Sequence, residues 1–340
     1  GFMLVGVLAT NAAGLSGTVE LDPALKASVA PGDTVFIFAR AVGGPRFPLA
    51  VLREALQHAL KRSGGGWFVV DESRKFSAAP DQARTYRIDD RELVFWRGPE
   101  GLMAGPDACP HMGASMAAGS VRGGRLVCPW HGLELCDKPQ GAWRPLHMFG
   151  DAEREGCCLD DAGEAPTDRP MLPVRPARRI DAVVRLEARC RPEDLLANRL
   201  DPWHGVHYHG HTFKRLRVVE RKADEITVRV AFAVIGRLAV EVDARFHCPD
   251  PRTIVMTIVR GDGEGSVVET HATPIDETRC AVVEATLATS DRPQMKYVLP
   301  FARWARPWLE KRASRLWVED VAYAERRRLV LDQLPPRVLA

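Results

Sequence analysis

Two short stretches carry side chains whose types and spacing could do chemistry: Cys109-Pro-His111 and, after sixteen intervening residues, Cys128-Pro-Trp-His131-Gly132. Two thiols and two imidazoles can hold zinc or an iron–sulfur cluster. Structural zinc sites commonly draw both cysteines of a pair from one closely spaced knuckle. Here each stretch supplies one Cys and one His, which suits a [2Fe–2S] cluster with Cys109 and Cys128 on one iron and His111 and His131 on the other. Neutral imidazoles in place of anionic thiolates penalise the reduced state less and raise the potential.

A second cluster, NRLDPWHGVHYHGHTF, begins at Asn198 and contains Asp201, His204, His207, His209 and His211. On a regular helix, residues three or four apart share a face, which pairs His207 with His211. Gly205 and Gly210 weaken a straight helix here, so helical spacing alone does not decide among the histidines. Non-haem Fe(II) that activates O2 is held by two His and one carboxylate with other positions open. The carboxylate must come from elsewhere in the chain. Glu319 and Asp320 lie inside an apolar run of Leu316, Trp317, Val318 and Val321, which favours a buried role.

On these residues the segment from Cys109 to Gly132 resembles the Rieske domain of oxygenases and their ferredoxins. Respiratory Rieske proteins carry an extra Cys in each loop, paired as a disulfide. Ala114 and Trp130 stand at those positions here, pointing away from a high-potential respiratory carrier. The second cluster resembles the catalytic motif of Rieske non-haem iron oxygenases: an Asp, two residues, a His, four residues, a second His. That resemblance implies Asp201 as a bridging carboxylate and His204 and His209 as iron ligands, ahead of His207 and His211. SRLWVEDVAYAERRR resembles the C-terminal helix of the same enzymes and implies Asp320 as third ligand, with Glu319 as the alternative. The likeness covers about residues 65–335. It is nearest to a bacterial group whose members carry ANRLDPWHG and often lie near carotenoid-pathway genes.

The resemblance implies an α+β fold: an all-β Rieske [2Fe–2S] domain plus a helix-grip, START-like catalytic domain with an antiparallel sheet and a long C-terminal helix. It implies a Rieske cluster and a mononuclear Fe(II) as cofactors. It also implies electrons from a ferredoxin and/or an NAD(P)H-dependent reductase, O2 as co-substrate, and a head-to-tail homotrimer with Asp201 at the interface. The expected activity is hydroxylation, desaturation or demethylation of a small hydrophobic substrate such as a terpenoid, steroid or carotenoid. No Gly-x-Gly-x-x-Gly fingerprint follows a strand, so the reductase is expected to be a separate chain.

The elements that must position these residues follow from periodicity. Residues 1–55 form a β-rich N-terminal segment, and SGTVELDPALKASVAPGDTVFIFARAVGGPRFPLAVLR within it resembles the C-terminal periplasmic part of an apocytochrome chaperone of c-type cytochrome maturation. Residues 56–160 form the Rieske domain, opening with a short helix over 56–66 and continuing as strands in GWFVV, RTYRI, ELVFWRG and GRLVCPW. Residues 161–176 are a Pro-rich, acidic linker. Residues 177–335 form the catalytic domain. Its apolar residues alternate with period two at Ile226, Val228, Val230, Phe232 and Val234, and again from Leu238 to Phe246 and from Ile254 to Ile258. Such alternation marks antiparallel strands with one buried face. The segment from Met295 onward is helical, interrupted near its start by Pro300 and Pro307. The substrate pocket is expected beneath the sheet, lined by strand faces and by Trp304, Trp308 and Trp317, with few charges.

Composition sets outer limits. The 340 residues are 46% hydrophobic and 27% charged, as in a globular protein with a sizeable core, and a net charge of +3 gives no argument for nucleic acid. Eight cysteines without a framework spacing outside the motif predict reduced thiols and a cytoplasmic setting. No stretch approaches the ~18 consecutive apolar residues of a membrane span. Two other readings remain at this point. One is a Rieske electron-transfer protein without a catalytic iron. The other is an accessory factor for cytochrome maturation, suggested by residues 13–53 alone.

Overall fold

The computed structural model describes residues 9–11, 14–16, 57, 60–79, 81–150, 153–159, 167–170, 173–222, 224–235, 238–293 and 295–333. The chain divides into two units, Gly1–Arg46 and Phe47–Ala340. In the first, β1 (Ala9–Asn11) and β2 (Gly14–Ser16) pair antiparallel. The strands expected in SGTVELDPAL and DTVFIFARA lie outside the described residues but for Ser16. So does much of the linker, while of the helix expected over 56–66 Gln57 and Leu60 are helical and residues 61–66 are turn and loop.

The second unit begins all-β. β3 (Trp67–Glu72) runs into the short helix α1 (Ser73–Ser77), then β4 (Arg84–Ile88), β5 (Arg91–Arg97) and β6 (Leu102–Pro106) form an antiparallel meander. β7 (Ser120–Arg122), β8 (Arg125–Val127) and β9 (Glu134–Leu135) make a second small sheet. β10 (His147–Gly150) and β11 (Arg154–Cys158) close onto β3. Leu93 and Phe95 alternate inward with Phe68, Phe76 and Ile88 around one core. Val94 and Trp96, on the opposite face of β5, join Leu126, Leu135 and both motif cysteines in another.

The chain continues through β12 (Ile180–Ala188), α2 (Pro192–Arg199), α3 (Pro202–Tyr208), β13 (Phe213–Arg221), β14 (Glu225–Ile235), β15 (Leu238–Asp250), β16 (Thr253–Gly261), β17 (Val267–Pro274) and β18 (Cys280–Ala288). After α4 (Met295–Val298) and a 3-10 turn, α5 (Ala302–Gln333) completes the fold. The seven strands form one antiparallel sheet in the order β12-β18-β17-β16-β15-β14-β13. Six strands are therefore a simple meander, and the first returns to its far edge. One face of this sheet packs on α2 and α5 through Ile254, Val282, Leu195, Leu196, Trp317 and Ala324, all buried. Full burial of each larger apolar side chain contributes about 1.5–3 kcal/mol, so this layer holds the helices to the sheet. The architecture is α+β, as expected.

The two prolines behave differently from each other. Pro300 falls in the 3-10 turn that ends α4, whereas Pro307 is taken up inside α5, which runs on to Gln333. The helix tolerates it so near its start because few intrahelical bonds precede it.

The all-β part and the sheet part share contacts across their boundary. The backbone N–H groups of Asp89 and Asp90 donate to the carbonyls of Pro274 and Ile275, both at 3.0 Å. Val69 packs against Val183, Val283 and Ala285. Between them lies a buried ion network. Arg154 on β11 meets Glu269 on β17 at 2.6 Å, and Arg175 bonds both Glu269 (2.6 Å) and Glu153 (2.8 Å).

Candidate metal centres

The two cluster loops are built alike. In the first, Gly113 N–H donates to the Cys109 carbonyl at 2.8 Å; in the second, Gly132 N–H donates to the Cys128 carbonyl at 3.1 Å. Closing each loop requires a left-handed residue, and Gly113 (φ +75°) and Gly132 (φ +71°) supply it. The loops place Cys109 and Cys128 inside the core, while His111 and His131 are exposed. The two Nδ1 atoms approach to 3.3 Å with the rings edge to face. Burial pushes the Cys128 thiol up, but hydrogen bonds from the His131 and Trp130 backbone and from Cys109 outweigh it, so the thiol is net depressed toward thiolate. Paired inward sulfurs and paired outward imidazoles converging through Nδ1 fit a [2Fe–2S] cluster held asymmetrically.

The second centre is assembled by three helices. Pro192 at the first position and Glu193 and Asp194 in the first turn start α2, which turns Leu195, Leu196 and Asn198 inward. Asp201 caps α3 by accepting from Trp203 N–H at 3.2 Å, with Pro202 following. α3 ends at Tyr208, and His209 sits at its C-cap with non-helical φ −107° and ψ 40°. The break carries His209 to the side of His204, so the spacing of five works where a straight helix would fail. The rings lie 5.3 Å apart, centroid to centroid. His207 and His211 stay exposed.

From α5, Asp320 meets both rings. Its Oδ1 lies 3.0 Å from His204 Nε2 and 2.7 Å from His209 Nε2. Among the described residues, this trio is the group whose donor atoms gather closely enough for a single ion. Glu319 does not share the site. Its Oε2 lies 2.6 Å from His209 Nδ1, behind the ring. His204 Nδ1 contacts the Asp201 carbonyl, an acceptor, so that nitrogen carries the proton. The same argument applies to His209 Nδ1 against Glu319. In the neutral rings both Nε2 atoms are then lone-pair donors facing one carboxylate oxygen, an arrangement that suits a cation between them. Without one, burial pushes Asp320 up, but the two His bonds and charges outweigh it and hold the carboxyl well below its usual range. Burial likewise lowers His209, and Asp320 and Glu319 raise it overall.

Asp201 presents its backbone carbonyl to His204, while its carboxylate is capped by Trp203 N–H and pushed up by burial. Asn198 Nδ2 reaches Asp320 Oδ1 at 3.3 Å, and Tyr323 stacks on His204 at 5.8 Å. The stacking partner was not legible in sequence, because it depends on how α3 lies across α5.

A cavity of about 370 Å3 opens beside this centre between sheet and α5, with His204, His209 and Asp320 in its wall. Val228, Val242, Phe246, Met256 and Ile258 line it from the strands, and Trp308 and Trp317 from α5. Trp304, expected there, is instead 62% exposed on the outer side of the helix. The lining also includes charges that the apolar strand pattern hid. Arg199 pairs with Glu284 at 3.6 Å, and burial pushes the Glu284 carboxyl up.

Comparison with known proteins agrees with this architecture. The family model described as "Domain of unknown function (DUF5914)" matches residues 161–334, "Rieske [2Fe-2S] domain" matches 66–147, and "Cytochrome c-type biogenesis protein H Ig-like domain" matches 15–59. The vanillate O-demethylase oxygenase subunit of Pseudomonas sp. (strain HR199) is 50% identical over 50 residues, 14% of this chain and 14% of that protein. The 4beta-methylsterol monooxygenase of Methylococcus capsulatus is 35% identical over 74 residues, 22% of this chain and 20% of that protein. The chain thus matches about a fifth or less of the length of these relatives. The crystal structure of dicamba monooxygenase bound to dicamba superposes with a TM-score of 0.60 at 20% identity, over 82% of this chain and 91% of that one, which shows the same fold. The chain belongs to the family described as "Domain of unknown function (DUF5914)", carries a Rieske [2Fe–2S] domain ahead of it, and has the fold of Rieske oxygenase alpha subunits.

Proposed function

We propose that this chain is an O2-dependent Rieske oxygenase acting on an apolar substrate, with electrons from a ferredoxin and/or an NAD(P)H-dependent reductase. The observation that carries this reading is the approach of Asp320 Oδ1 to His204 Nε2 (3.0 Å) and His209 Nε2 (2.7 Å) in the wall of an apolar cavity. Cys109, His111, Cys128 and His131 would hold the [2Fe–2S] cluster, and His204, His209 and Asp320 the mononuclear Fe(II). When bound, the cluster supplies electrons singly and the Fe(II) supplies O2 activation. The chain's own groups do the rest. The exposed edges of His111 and His131, flanked by Met112 (65% exposed) and Trp130 (61%), offer the entry point for a donor. The strand side chains exclude water and orient an apolar substrate against the wall that bears His204 and His209. Relatives named as O-demethylase and methylsterol monooxygenase support hydroxylation or demethylation, and a steroid, terpenoid or carotenoid suits the lining.

Asp201 is proposed as the carboxylate linking a neighbouring copy's Rieske histidine to His204 in a head-to-tail homotrimer, a contact that closes by rotation. Asn at this position keeps the cap on α3 but not the charge. Asp201→Asn is expected to retain both metal centres and to lose turnover by about a hundredfold. Normal turnover, measured as substrate-dependent O2 uptake, would end the bridging role.

The test of the whole reading is anaerobic iron and sulfide quantification with electron paramagnetic resonance, with and without nitric oxide. An oxygenase contains about three irons per chain and a carrier about two. A chain holding about two, with no nitrosyl signal, is an electron-transfer protein.

A further inference from the structure

The start of α5 carries a surface that neither metal centre uses. Tyr297 (66% exposed), Phe301 (51%), Trp304 (62%) and Trp308 (53%) all show large faces to solvent. Residues 304 and 308 are one turn apart on a single helix face, and Phe301 stacks on Trp304 with centroids 5.4 Å apart. Cations are interleaved with the rings: Lys296 over Tyr297 at 4.9 Å, Arg303 over Trp304 at 4.6 Å and Arg312 over Trp308 at 5.6 Å.

The charge is mostly basic, with Arg292 paired to Asp262, Arg306 to Asp181 and Arg315 to Glu319. From Arg292 to Val318 the chain has seven Arg or Lys against a single acid, Glu310. Glu310 turns inward to Arg74 at 2.6 Å. Lys296, Arg303, Lys311 and Arg315 remain exposed. The patch also adjoins the cavity, because Trp308 both shows half its surface to solvent and lines the apolar chamber.

We propose that this face docks on the anionic surface of a lipid bilayer, so that a bilayer-dissolved substrate enters the cavity past Trp308. Aromatic rings settle at headgroup depth, and Lys and Arg beside them are drawn to anionic lipid. A net basic face with interleaved aromatics is complementary to that surface. The attachment is peripheral, since no described helix is long and apolar enough to cross a membrane. The proposal takes from the preceding reading only that the cavity receives an apolar substrate.

The test is co-sedimentation of the full holoprotein with phosphatidylcholine vesicles containing about one third phosphatidylglycerol, beside phosphatidylcholine alone. Binding to the anionic vesicles that weakens with added salt is expected. Phe301→Ser with Trp304→Ser should reduce it at least about tenfold, with the cluster's visible spectrum and the oligomeric mass unchanged. Arg303→Glu with Lys296→Glu should reduce it similarly and abolish the preference for anionic lipid. Protein that stays in the supernatant overturns the proposal. So does a serine variant that binds like the parent, or one whose oligomeric mass changes, which would assign the patch to contact between copies. Vesicle binding is read without turnover, so its failure leaves the oxygenase reading intact, and a failed iron count leaves the vesicle result standing.

Discussion

Asp320→Ala is expected to reduce iron from about three to about two per chain while leaving the cluster's visible spectrum intact. The carboxylate is the element both Nε2 atoms face, at 3.0 and 2.7 Å, and it is 5% exposed. Removing it leaves two imidazoles in a mostly apolar wall, an insufficient donor set for Fe(II). Changing the groups behind metal ligands lowers affinity about 10–100-fold, and loss of a ligand exceeds that. Turnover should therefore vanish with the iron. The variant is also informative about its neighbour. Glu319 already reaches His209 at 2.6 Å from the other side of the ring. Iron kept at the mononuclear site in Asp320→Ala would mean that Glu319 can rotate into the gap, and the assignment would pass to it.

The convergence of Cys109, His111, Cys128 and His131 was legible in the sequence because each Cys–His pair sits within one loop, so spacing alone encodes its geometry. The second centre was legible only in part. His209 and Asp320 are separated by 111 positions, and nothing local says that α5 crosses α3 at that point. Helical periodicity favoured His207 with His211, but α3 stops at Tyr208, where the period no longer holds, and both of those side chains are exposed. The strongly alternating strands β14 to β16 were evident from their apolar pattern. β17 was not, because VVETHATP buries Glu269 and His271 on a face where the pattern expects apolar residues. β13 hid for the opposite reason: most of it is exposed and charged. Trp304 and Trp317 look alike in sequence, yet they lie on different faces of α5, and only the packing of the helix on the sheet sorts outer from inner.

The residues that hid β17 make the second large prediction. Glu269→Ala is expected to destabilise the protein by about 3–5 kcal/mol, because it strips the carboxylate from the buried pair it makes with Arg154. Arg154 and Glu269 are both fully buried at 2.6 Å, and Arg175 forks onto the same carboxylate at 2.6 and 3.0 Å. His271 adds a contact at 3.2 Å. An exposed pair such as Arg62–Asp224, with side chains 35% and 50% accessible, lacks this leverage. Since Arg154 belongs to the all-β part and Glu269 to the sheet, the loss should also loosen the boundary between them. Thermal unfolding followed by cluster absorbance should shift down by roughly 10 °C. The wild type should show the matching pH dependence. Burial raises the Glu269 carboxyl, but His271 and Arg175 outweigh it and hold it below the ordinary carboxylate range. A depressed folded-state value means the contribution is complete above the unfolded carboxylate range and disappears as pH falls through the lowered value. Glu269→Ala should therefore lie well below the wild type near neutrality and converge with it in acid. Equal stability of the two at neutral pH would show that the buried arginines find other partners and that the network is not what joins the two parts.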